Sequence, residues 1–195
     1  MSSKSTKTSF GLSPIFIVVL ALLTAIAPLA TDMYLAALPA VAENLNTTST
    51  NASLTLSGFM VGMALGQLVV GPLSDKTGRR KPRLIGAVIC FIATVACGFA
   101  PNIELLIFAR FMMGFTGSIG AVLARSIVAD TTEGLATAKL MGVMMMINGF
   151  APVLAPLFGG WVLSWGHWRD IFPVLGVNTA VKVLGVLFVI QGSLP

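Results

Sequence analysis

Six long apolar runs, separated by short polar links, limit what this chain can fold into more than any other feature. The runs cover residues 15–37, 54–73, 84–99, 103–128, 138–163 and 171–190. A helix needs about 20 residues to cross ~30 Å of hydrocarbon, and most of the runs reach that length. Because an open sheet cannot satisfy its backbone hydrogen bonds in lipid, strands are not expected. The sequence therefore predicts an all-α membrane protein with six transmembrane helices.

The composition of the chain fits a lipid bilayer as its main surroundings. Hydrophobic residues make up 56% of the 195 residues and charged residues only 10%, whereas a soluble domain carries about a quarter charged residues. The net charge of +5 is compatible with nucleic-acid binding, but most of the basic residues lie in short links that would face anionic lipid headgroups. We therefore expect the bilayer, and no nucleic acid, as a partner.

The N-terminus is expected to be a cytoplasmic tail over residues 1–13, followed by a transmembrane domain over residues 14–195. Lys4 and Lys7, ahead of an apolar run, resemble the start of a secretory signal. However, no small-residue cleavage pattern precedes Asp32, and five more apolar runs follow. The first run is therefore interpreted as an uncleaved transmembrane helix.

The basic residues also predict the orientation of the helices, because lysine and arginine in short loops favour the cytoplasmic side. On the opposite side Arg169 stands almost alone, near three tryptophans that suit an interfacial belt. Both termini are therefore expected in the cytoplasm. The cytoplasmic basic residues are Lys4, Lys7, Lys76, Arg79, Arg80, Lys81, Arg83 and Lys139, and the tryptophans are Trp161, Trp165 and Trp168.

Regularly spaced glycines in two of the runs predict close helix packing. The spacing is four residues in the second run and three in the fourth. Each series therefore lies on one helix face, where another helix backbone can approach. The glycines are Gly58, Gly62 and Gly66 in the second run and Gly114, Gly117 and Gly120 in the fourth.

The link between the second and third runs is the most specific segment of the chain. It reads Gly71-Pro72-Leu73-Ser74-Asp75-Lys76-Thr77-Gly78-Arg79-Arg80-Lys81. A helix is expected to end near Leu73, followed by a carboxylate, a glycine for a tight turn and a basic cluster. Basic content alone would indicate only a cytoplasmic loop. The full order of the two glycines, Asp75, Arg79 and Arg80 resembles the signature loop between helices two and three of major facilitator superfamily transporters.

Further motifs extend this resemblance along the chain. Thr31-Asp32-Met33-Tyr34-Leu35 is similar to the first-helix motif of drug:proton antiporters, and is closest in wording to their bicyclomycin and chloramphenicol resistance branch. Residues 110–114 resemble the fourth-helix arginine motif, residues 151–160 the fifth-helix antiporter motif, and residues 168–172 the entry to helix six. Ala155 is a departure that weakens the inference of antiport, because the family usually has glycine at that position.

The resemblance implies a fold and a mode of action. The chain would be the N-terminal six-helix half of a twelve-helix transporter, in which the substrate site lies between two halves. Transport would proceed by alternating access, with the proton gradient as energy source and no cofactor. The implied partners are a small amphipathic substrate, protons and the lipid bilayer, together with a second six-helix half or a second copy of the chain.

Asp32 and Arg110 are the residues that the resemblance implicates in proton or substrate coupling. A carboxylate inside a membrane costs about 2.5–3.5 kcal/mol on insertion scales, so Asp32 is expected to face a cavity or a partner. The alternative is an interfacial carboxylate that reaches water. Arg110 lies about two turns into the fourth run. It is either a coupling or binding residue near the central cavity or a structural, hydrogen-bonding arginine.

A gate is expected at the signature loop. Arg79 should pair with Asp130 at the cytoplasmic end of the fourth helix, and Asp75 with a helix N-terminus in the second half. Such contacts would stabilise the outward-facing state and break when the halves rock apart. The alternative for Asp75 is a plain charge at a helix end.

The antiporter motif is expected to interrupt and bend the fifth helix, because proline removes a helical hydrogen bond. The residues of this bend are Pro152 and Pro156, with Gly159 and Gly160 nearby. Lys182, in the middle of the sixth run, receives no role.

A secondary transporter is therefore the predicted function, and the chain is not expected to be an enzyme. No cluster of residues has the spacing of a catalytic, phosphate or metal site; His167 is the one histidine, and Cys90 and Cys97 fit a buried helix. The expected activity is proton-coupled efflux of small amphipathic drugs or antibiotics, by an integral multi-pass protein of the bacterial inner membrane. Two alternatives stay open: proton-coupled uptake of a small nutrient, and a truncated, non-transporting fragment that needs a second half.

Overall fold

The computed structural model describes the backbone over residues 26–77, 80–132 and 134–192, and side chains over 27–69, 85–120, 128, 132, 134–181 and 183–184. Within these ranges every regular element is helical, as the sequence predicts. The elements are α1 (Ile26–Pro28), a π-helical turn (Leu29–Met33), α2 (Leu38–Asn44), α3 (Ser49–Thr77), α4 (Arg80–Gly98), α5 (Ile103–Thr131), α6 (Leu135–Trp165), a 3₁₀ turn (Trp168–Asp170) and α7 (Ile171–Gly192).

Three helices contain stretches that are long and apolar enough to cross a bilayer. These stretches are Ser49–Val69, Ile103–Gly120 and Leu135–Trp165, and Ile85–Gly98 is a shorter apolar stretch. They match the second, fourth, fifth and third predicted spans. The sixth predicted span is α7, and the first lies within the described residues only from residue 26 onward.

The long helices extend past the apolar runs. α3 has 29 residues and continues through Pro72 and Asp75 to Thr77, so the predicted helix end near Leu73 is wrong. Helical hydrogen bonding does not stop where apolar side chains stop, because polar side chains at a helix end reach water without leaving the helix. Apolarity marks the edge of the hydrocarbon and not the end of the helix.

The first span is irregular where the prediction had a continuous helix. Its described part passes from α1 into the π-helical turn, which Pro28 precedes. Because proline has no N–H group, it leaves a carbonyl of the previous turn without its helical partner. The Thr31 hydroxyl donates to the carbonyls of Ala27 at 2.9 Å and Pro28 at 3.2 Å, which satisfies two backbone groups of this distorted segment.

The glycines of the second span form the predicted packing surface between α3 and α5. A Cβ atom at Gly62 would collide with the carbonyl oxygen of Phe111, and one at Gly66 with that of Phe115. From the opposite helix, a Cβ at Gly114 would collide with the carbonyl oxygen of Phe59. The two backbones therefore touch, and only glycine fits at these three positions.

The start of α5 carries a side-chain cap. Asn102 has extended backbone angles, and its Oδ1 accepts a hydrogen bond from the N–H of Leu105 at 2.9 Å. Glu104 lies in the first turn of the helix, where a negative charge is stabilised by the helix dipole. This cap fixes the register from which the side chains of α5 enter the bundle.

α6 continues as one helix through both prolines of the antiporter motif. The helix is therefore not broken at Pro152 or Pro156, and the bend at these residues stays a prediction. Each proline removes only one hydrogen-bond donor, and the rest of a helix of 31 residues keeps its ladder. Both prolines are exposed on the surface of the described chain, whereas Ala155 between them is fully buried.

Most of the described buried side chains gather at one end of the bundle, which we name the Trp168 end. Here α3, α5 and α7 begin and α4 and α6 end. The predicted burial of Cys90 and Cys97 is confirmed, at 3% and 0% exposure. One charged side chain, Arg110, lies inside this core with 0% exposure. The largest buried residues at this end are Tyr34, Phe59, Leu106, Arg110, Met113, Trp168, Phe172 and Leu175.

Candidate coupling site

Arg110 is held by a backbone carbonyl of the irregular first span. The register of α5 places it about two turns from the start at Ile103, with its side chain directed back toward the Trp168 end. Its Nη2 donates a hydrogen bond to the carbonyl oxygen of Ala30 at 3.0 Å. Its Nε and Nη1 are buried without hydrogen-bond partners among the described residues. Two of the three guanidinium nitrogens are therefore unpaired among the described residues.

Three aromatic rings surround the same guanidinium. Its Cζ lies 3.8 Å from the ring centroid of Tyr34, 5.2 Å from that of Phe59 and 5.9 Å from that of Phe172. A cation over a ring face within about 6 Å is attracted by the ring's electrons, most strongly where water is excluded. We name Tyr34, Phe59 and Phe172 the aromatic cage. It comes from three separate elements, so Arg110 ties the first span, α3 and α7 together.

Tyr34 is itself anchored at its far end. Its hydroxyl lies 2.9 Å from the hydroxyl of Thr55 on α3, and Thr55 donates in turn to the carbonyl of Ala52 at 2.5 Å. The Tyr34 ring also meets the Phe172 ring, with centroids 6.0 Å apart. Both residues of the hydroxyl pair are fully buried. The ring is thus fixed at its edge by α7 and at its tip by α3.

Asp32 lies in the π-helical turn but on another face from the atoms that hold Arg110. Ala30 and Tyr34 are four positions apart and share a face, whereas Asp32 is two positions from each, about 200° around a helix. The burial agrees: Ala30 and Tyr34 are at 0% exposure, and Asp32 is half-buried. No ion pair between Asp32 and Arg110 occurs among the described residues. Arg110 thus bonds to the turn that carries Asp32, but the two predicted coupling side chains do not form an ion pair.

The antiporter motif touches the same turn from α6. A Cβ atom at Gly159 would lie 2.5 Å from the carbonyl oxygen and 2.9 Å from the Cα of Met33, so only glycine fits there. Ala155, one turn earlier on the same face, is fully buried. Gly160 has no atom within 4 Å of the place a Cβ would take. Of the two adjacent glycines, only Gly159 is therefore required by contact with the π-helical turn.

Comparison with known protein families identifies the family of this chain. The family model described as the Major Facilitator Superfamily matches residues 20–192 of the chain. The chain belongs to the major facilitator superfamily. It is an integral membrane protein of a family of transporters and not of enzymes, as the sequence motifs predict.

Relatives within the superfamily carry drug-resistance names. The chain is 39% identical over 178 residues to the uncharacterized MFS-type transporter YdgK of Bacillus subtilis, and 30% identical over 176 residues to the bicyclomycin resistance protein homolog of Haemophilus influenzae. It is 29% identical over 168 residues to the multidrug resistance protein MdtL of Escherichia coli. These matches cover 86–90% of the chain and 43–44% of each relative. The chain thus spans less than half the length of the relatives it matches.

Solved superfamily structures share the fold. A bacterial homologue of the human lysosomal transporter Spinster, in an inward-facing and unoccupied conformation, superposes with a TM-score of 0.72 at 19% identity, over 96% of this chain and 43% of its own. A D-xylose-proton symporter superposes with a TM-score of 0.70 at 15% identity, over 95% and 48%. The predicted six-helix half of the superfamily fold is confirmed by these superpositions.

The superfamily signature loop lies at the end of the bundle opposite Trp168, where α3 ends and α4 begins. Asp75 belongs to the last turn of α3, and Arg80 is the first residue of α4. Gly78 and Arg79 lie outside the described residues, as do the side chains of Asp75, Arg80 and Asp130, whereas Gly71 lies within α3. The pairing of Arg79 with Asp130 stays a prediction. The side chain of Lys182 also lies outside the described set.

The 3₁₀ turn before α7 is tightly packed. The predicted belt of three tryptophans did not anticipate this packing. Trp161 and Trp165 are 61% and 82% exposed, as an interfacial belt requires, but Trp168 is only 2% exposed. Arg169 lies over the Trp168 ring at 4.3 Å, and its Nη1 and Nη2 donate to Asn44 Oδ1 at 2.7 Å and the Ala100 carbonyl at 3.1 Å. The belt interpretation is wrong for Trp168, because the turn directs its ring into the core.

The aromatic cage is the part of the site that sequence reasoning did not identify. Its members come from positions 34, 59 and 172, which share no local spacing. One signal was present: Tyr34 stands four positions after Ala30 and therefore shares its helix face. His167, the one histidine of the chain, is exposed, and its backbone N–H donates to Asp170 Oδ2 at 2.6 Å.

Proposed function

We propose that this chain forms the six-helix N-terminal part of a proton-coupled exporter of small amphipathic drugs or antibiotics. The exporter works by alternating access in the bacterial inner membrane, with the cytoplasmic tail and both termini on the cytoplasmic side, and together with a second six-helix unit. The drug-resistance names of two relatives support the substrate class. The basic residues of the signature loop and Lys139 support the orientation.

The observation that carries the proposal is the contact of Arg110 with the turn that bears Asp32. A fully buried arginine within a membrane-spanning helix is costly, and such residues mark ion or substrate pathways. Here its Nη2 holds the Ala30 carbonyl, two residues before a half-buried carboxylate. A permanent positive charge and a carboxylate that can take up a proton are thereby attached to the same segment of backbone.

In the proposed mechanism, Asp32 exchanges the proton and Arg110 supplies a constant positive charge beside it. Protonation of Asp32 removes the negative charge and changes the electrostatic balance of the π-helical turn. Gly159 contacts that turn at Met33, so a shift of the turn passes directly to the antiporter helix α6. The Arg79–Asp130 pair and Asp75 act at the other end as a gate that opens when the two six-helix units rock apart.

Drug accumulation tests the direction of transport. Cells that lack their own exporters would express the chain alone, and the chain fused to the second half of the B. subtilis relative. We expect the fused protein to lower the accumulation of a fluorescent amphipathic cation, and a protonophore to abolish the effect. Accumulation that rises with the proton gradient would instead show uptake and overturn export. Equal accumulation with and without the fused protein would also contradict the proposal.

Substitutions at the coupling site test the mechanism. Asp32→Asn should abolish proton-driven export, and Arg110→Lys should reduce it strongly because lysine lacks the planar donor fork. Glu104→Gln is the matched control, since this exposed carboxylate lies in the first turn of α5. Export that survives Asp32→Asn with its pH dependence intact would exclude Asp32 as the proton site.

The gate has its own test. Exchange of the charges in Arg79→Asp together with Asp130→Arg should restore more export than either single substitution. Absence of that rescue would count against the pair while leaving the roles of Asp32 and Arg110 intact.

A further inference from the structure

The positive charge of Arg110 is held in place by neutral groups. Its one described hydrogen bond goes to a backbone carbonyl, and its closest charge-stabilising neighbour is the ring of Tyr34 at 3.8 Å. Phe59 and Phe172 are farther away, at 5.2 and 5.9 Å. Cation–π attraction weakens with distance, so Tyr34 contributes most to the cage. The position of the guanidinium therefore depends chiefly on this ring.

Tyr34 and Ala30 act on Arg110 from the same strip of the first span. They lie one turn apart on one face, and the guanidinium binds both, through the carbonyl of one and the ring of the other. The segment between them is the π-helical turn with Asp32 on its other face. Arg110 thus bridges the two ends of the distorted turn, and the turn determines where the Asp32 carboxyl lies.

We propose that Tyr34 is a positioning residue for proton coupling: its ring seats the Arg110 guanidinium on the Ala30 carbonyl and so fixes the turn that carries Asp32. This inference rests on the proposed roles of Asp32 and Arg110. It adds that the two residues communicate through the backbone of the first span and the aromatic cage, without a direct ion pair.

Among the described side chains, the long helices α3 to α7 carry few ionisable groups. They are Glu104 and Arg110 on α5, Cys90 and Cys97 on α4, and Lys139 on α6. Glu104 and Lys139 are exposed, near the starts of α5 and α6, and Cys97 is buried in the core. The side chain of Lys182 is not among the described ones. Of the described groups, only Arg110 bonds to the turn.

The test measures the protonation of Asp32 directly on the purified chain in lipid nanodiscs, so it does not depend on transport. Infrared difference spectra follow the carboxyl band that is lost in Asp32→Asn, and give the pH at which half of Asp32 is protonated. Arg110→Met loses the hydrogen bond to the Ala30 carbonyl and should shift that midpoint, because the turn that carries Asp32 is no longer held in place. Tyr34→Leu should shift it in the same direction by a smaller amount.

Conservative variants separate the ring from the rest of the side chain. Tyr34→Phe and Thr55→Val keep the ring over Arg110 and should leave the midpoint within a few tenths of a unit of the wild type. Phe115→Leu removes a ring that stacks on Phe111, away from the cage, and serves as the matched control. Tyr34→Leu combined with Arg110→Met should shift the midpoint no further than Arg110→Met alone, since both remove the same interaction.

An unchanged midpoint in a folded Tyr34→Leu variant, or a shift in the opposite direction, would overturn the proposal. So would equal shifts in Tyr34→Phe and Tyr34→Leu, because the ring would then not be the cause. If Tyr34→Leu does not fold, Phe59→Leu replaces it, with a smaller shift of the same sign expected from its longer distance. A chain that shows these shifts but fails to lower drug accumulation would retain the positioning role while losing the export proposal.

Discussion

Two glycine contacts in this chain differ in the segments that they join. Between α3 and α5, Gly62, Gly66 and Gly114 join two regular helices backbone to backbone. At the second contact, Gly159 of α6 meets Met33 in the π-helical turn, beside the half-buried Asp32. The first contact repeats along two straight faces and contains no charge. The second is a single close contact with a distorted segment, so its geometry can change without separating two whole helices.

The regular contact should be the harder of the two to disturb. Gly62→Val would drive a branched side chain into the backbone of Phe111 and Phe115, neither of which can move as a side chain can. We expect a loss of more than about 3 kcal/mol of stability, measured as thermal unfolding in detergent. Gly58→Ala is the control, because its Cβ would find the Ile107 carbonyl at 3.4 Å and cost little. Equal losses from both substitutions would refute the distinction.

The irregular contact should be more sensitive in function than in stability. Gly159→Ala places a methyl group against the Met33 backbone, and a cost of about 1–3 kcal/mol is expected. Export by the fused protein should fall further than this loss explains, because the turn carries Asp32. Gly160→Ala, with open space around it, should be neutral or stabilising by up to about 1 kcal/mol. Equal export by Gly159→Ala and Gly160→Ala would contradict a functional role of the Gly159 contact.

Gly86 tests whether a backbone neighbour makes a glycine substitution more costly in stability than a side-chain neighbour does. A Cβ at Gly86 would meet the terminal Cδ1 of Ile119, which can rotate away. Gly86→Ala should therefore cost less than about 1 kcal/mol, although its clash is as close as that of Gly62. Unfolding midpoints of Gly86→Ala and Gly62→Ala, measured side by side, would show whether the nature of the neighbour decides the cost.

A modest effect is expected from Ala155→Gly, which introduces the residue usual in the family that the motif resembles. Ala155 is fully buried on the face that also carries Gly159. Removal of one methyl group from a helix interior should cost about 1 kcal/mol of stability. Export should rise or stay unchanged if the close packing at α6 limits transport. A strong loss of export would show that the methyl group is required.

The sequence predicts the regular contact and not the irregular one, for a physical reason. Glycines four apart on a straight helix imply a packing face, and the face formed by Gly58, Gly62 and Gly66 is found against α5. The π-helical turn depends on Pro28 and on contacts from α5 and α6, which no local spacing reveals. The same holds for the aromatic cage, whose rings come from three elements brought together only by tertiary packing.

The motifs identified the family correctly but were less reliable for helix ends and for the burial of single residues. The signature loop and the fourth-helix arginine motif identified the superfamily, because their residue order is specific. The helix end near Leu73 was wrong, because α3 continues past the apolar run. The bend at Pro152 and Pro156 stays a prediction, and α6 is continuous there. Trp168 was misplaced for a related reason: its position in the 3₁₀ turn, and not its chemistry, decides that it is buried.

The turn at Trp168 also has a consequence for the order in which the bundle assembles. Arg169 binds Ala100 and Asn44, which precede it by 69 and 125 residues. A chain made and inserted from its N-terminus has already placed α2 and α4 in the membrane when this arginine emerges. Arg169 therefore joins α2 to the residues that follow α4 only once the turn before α7 has been made.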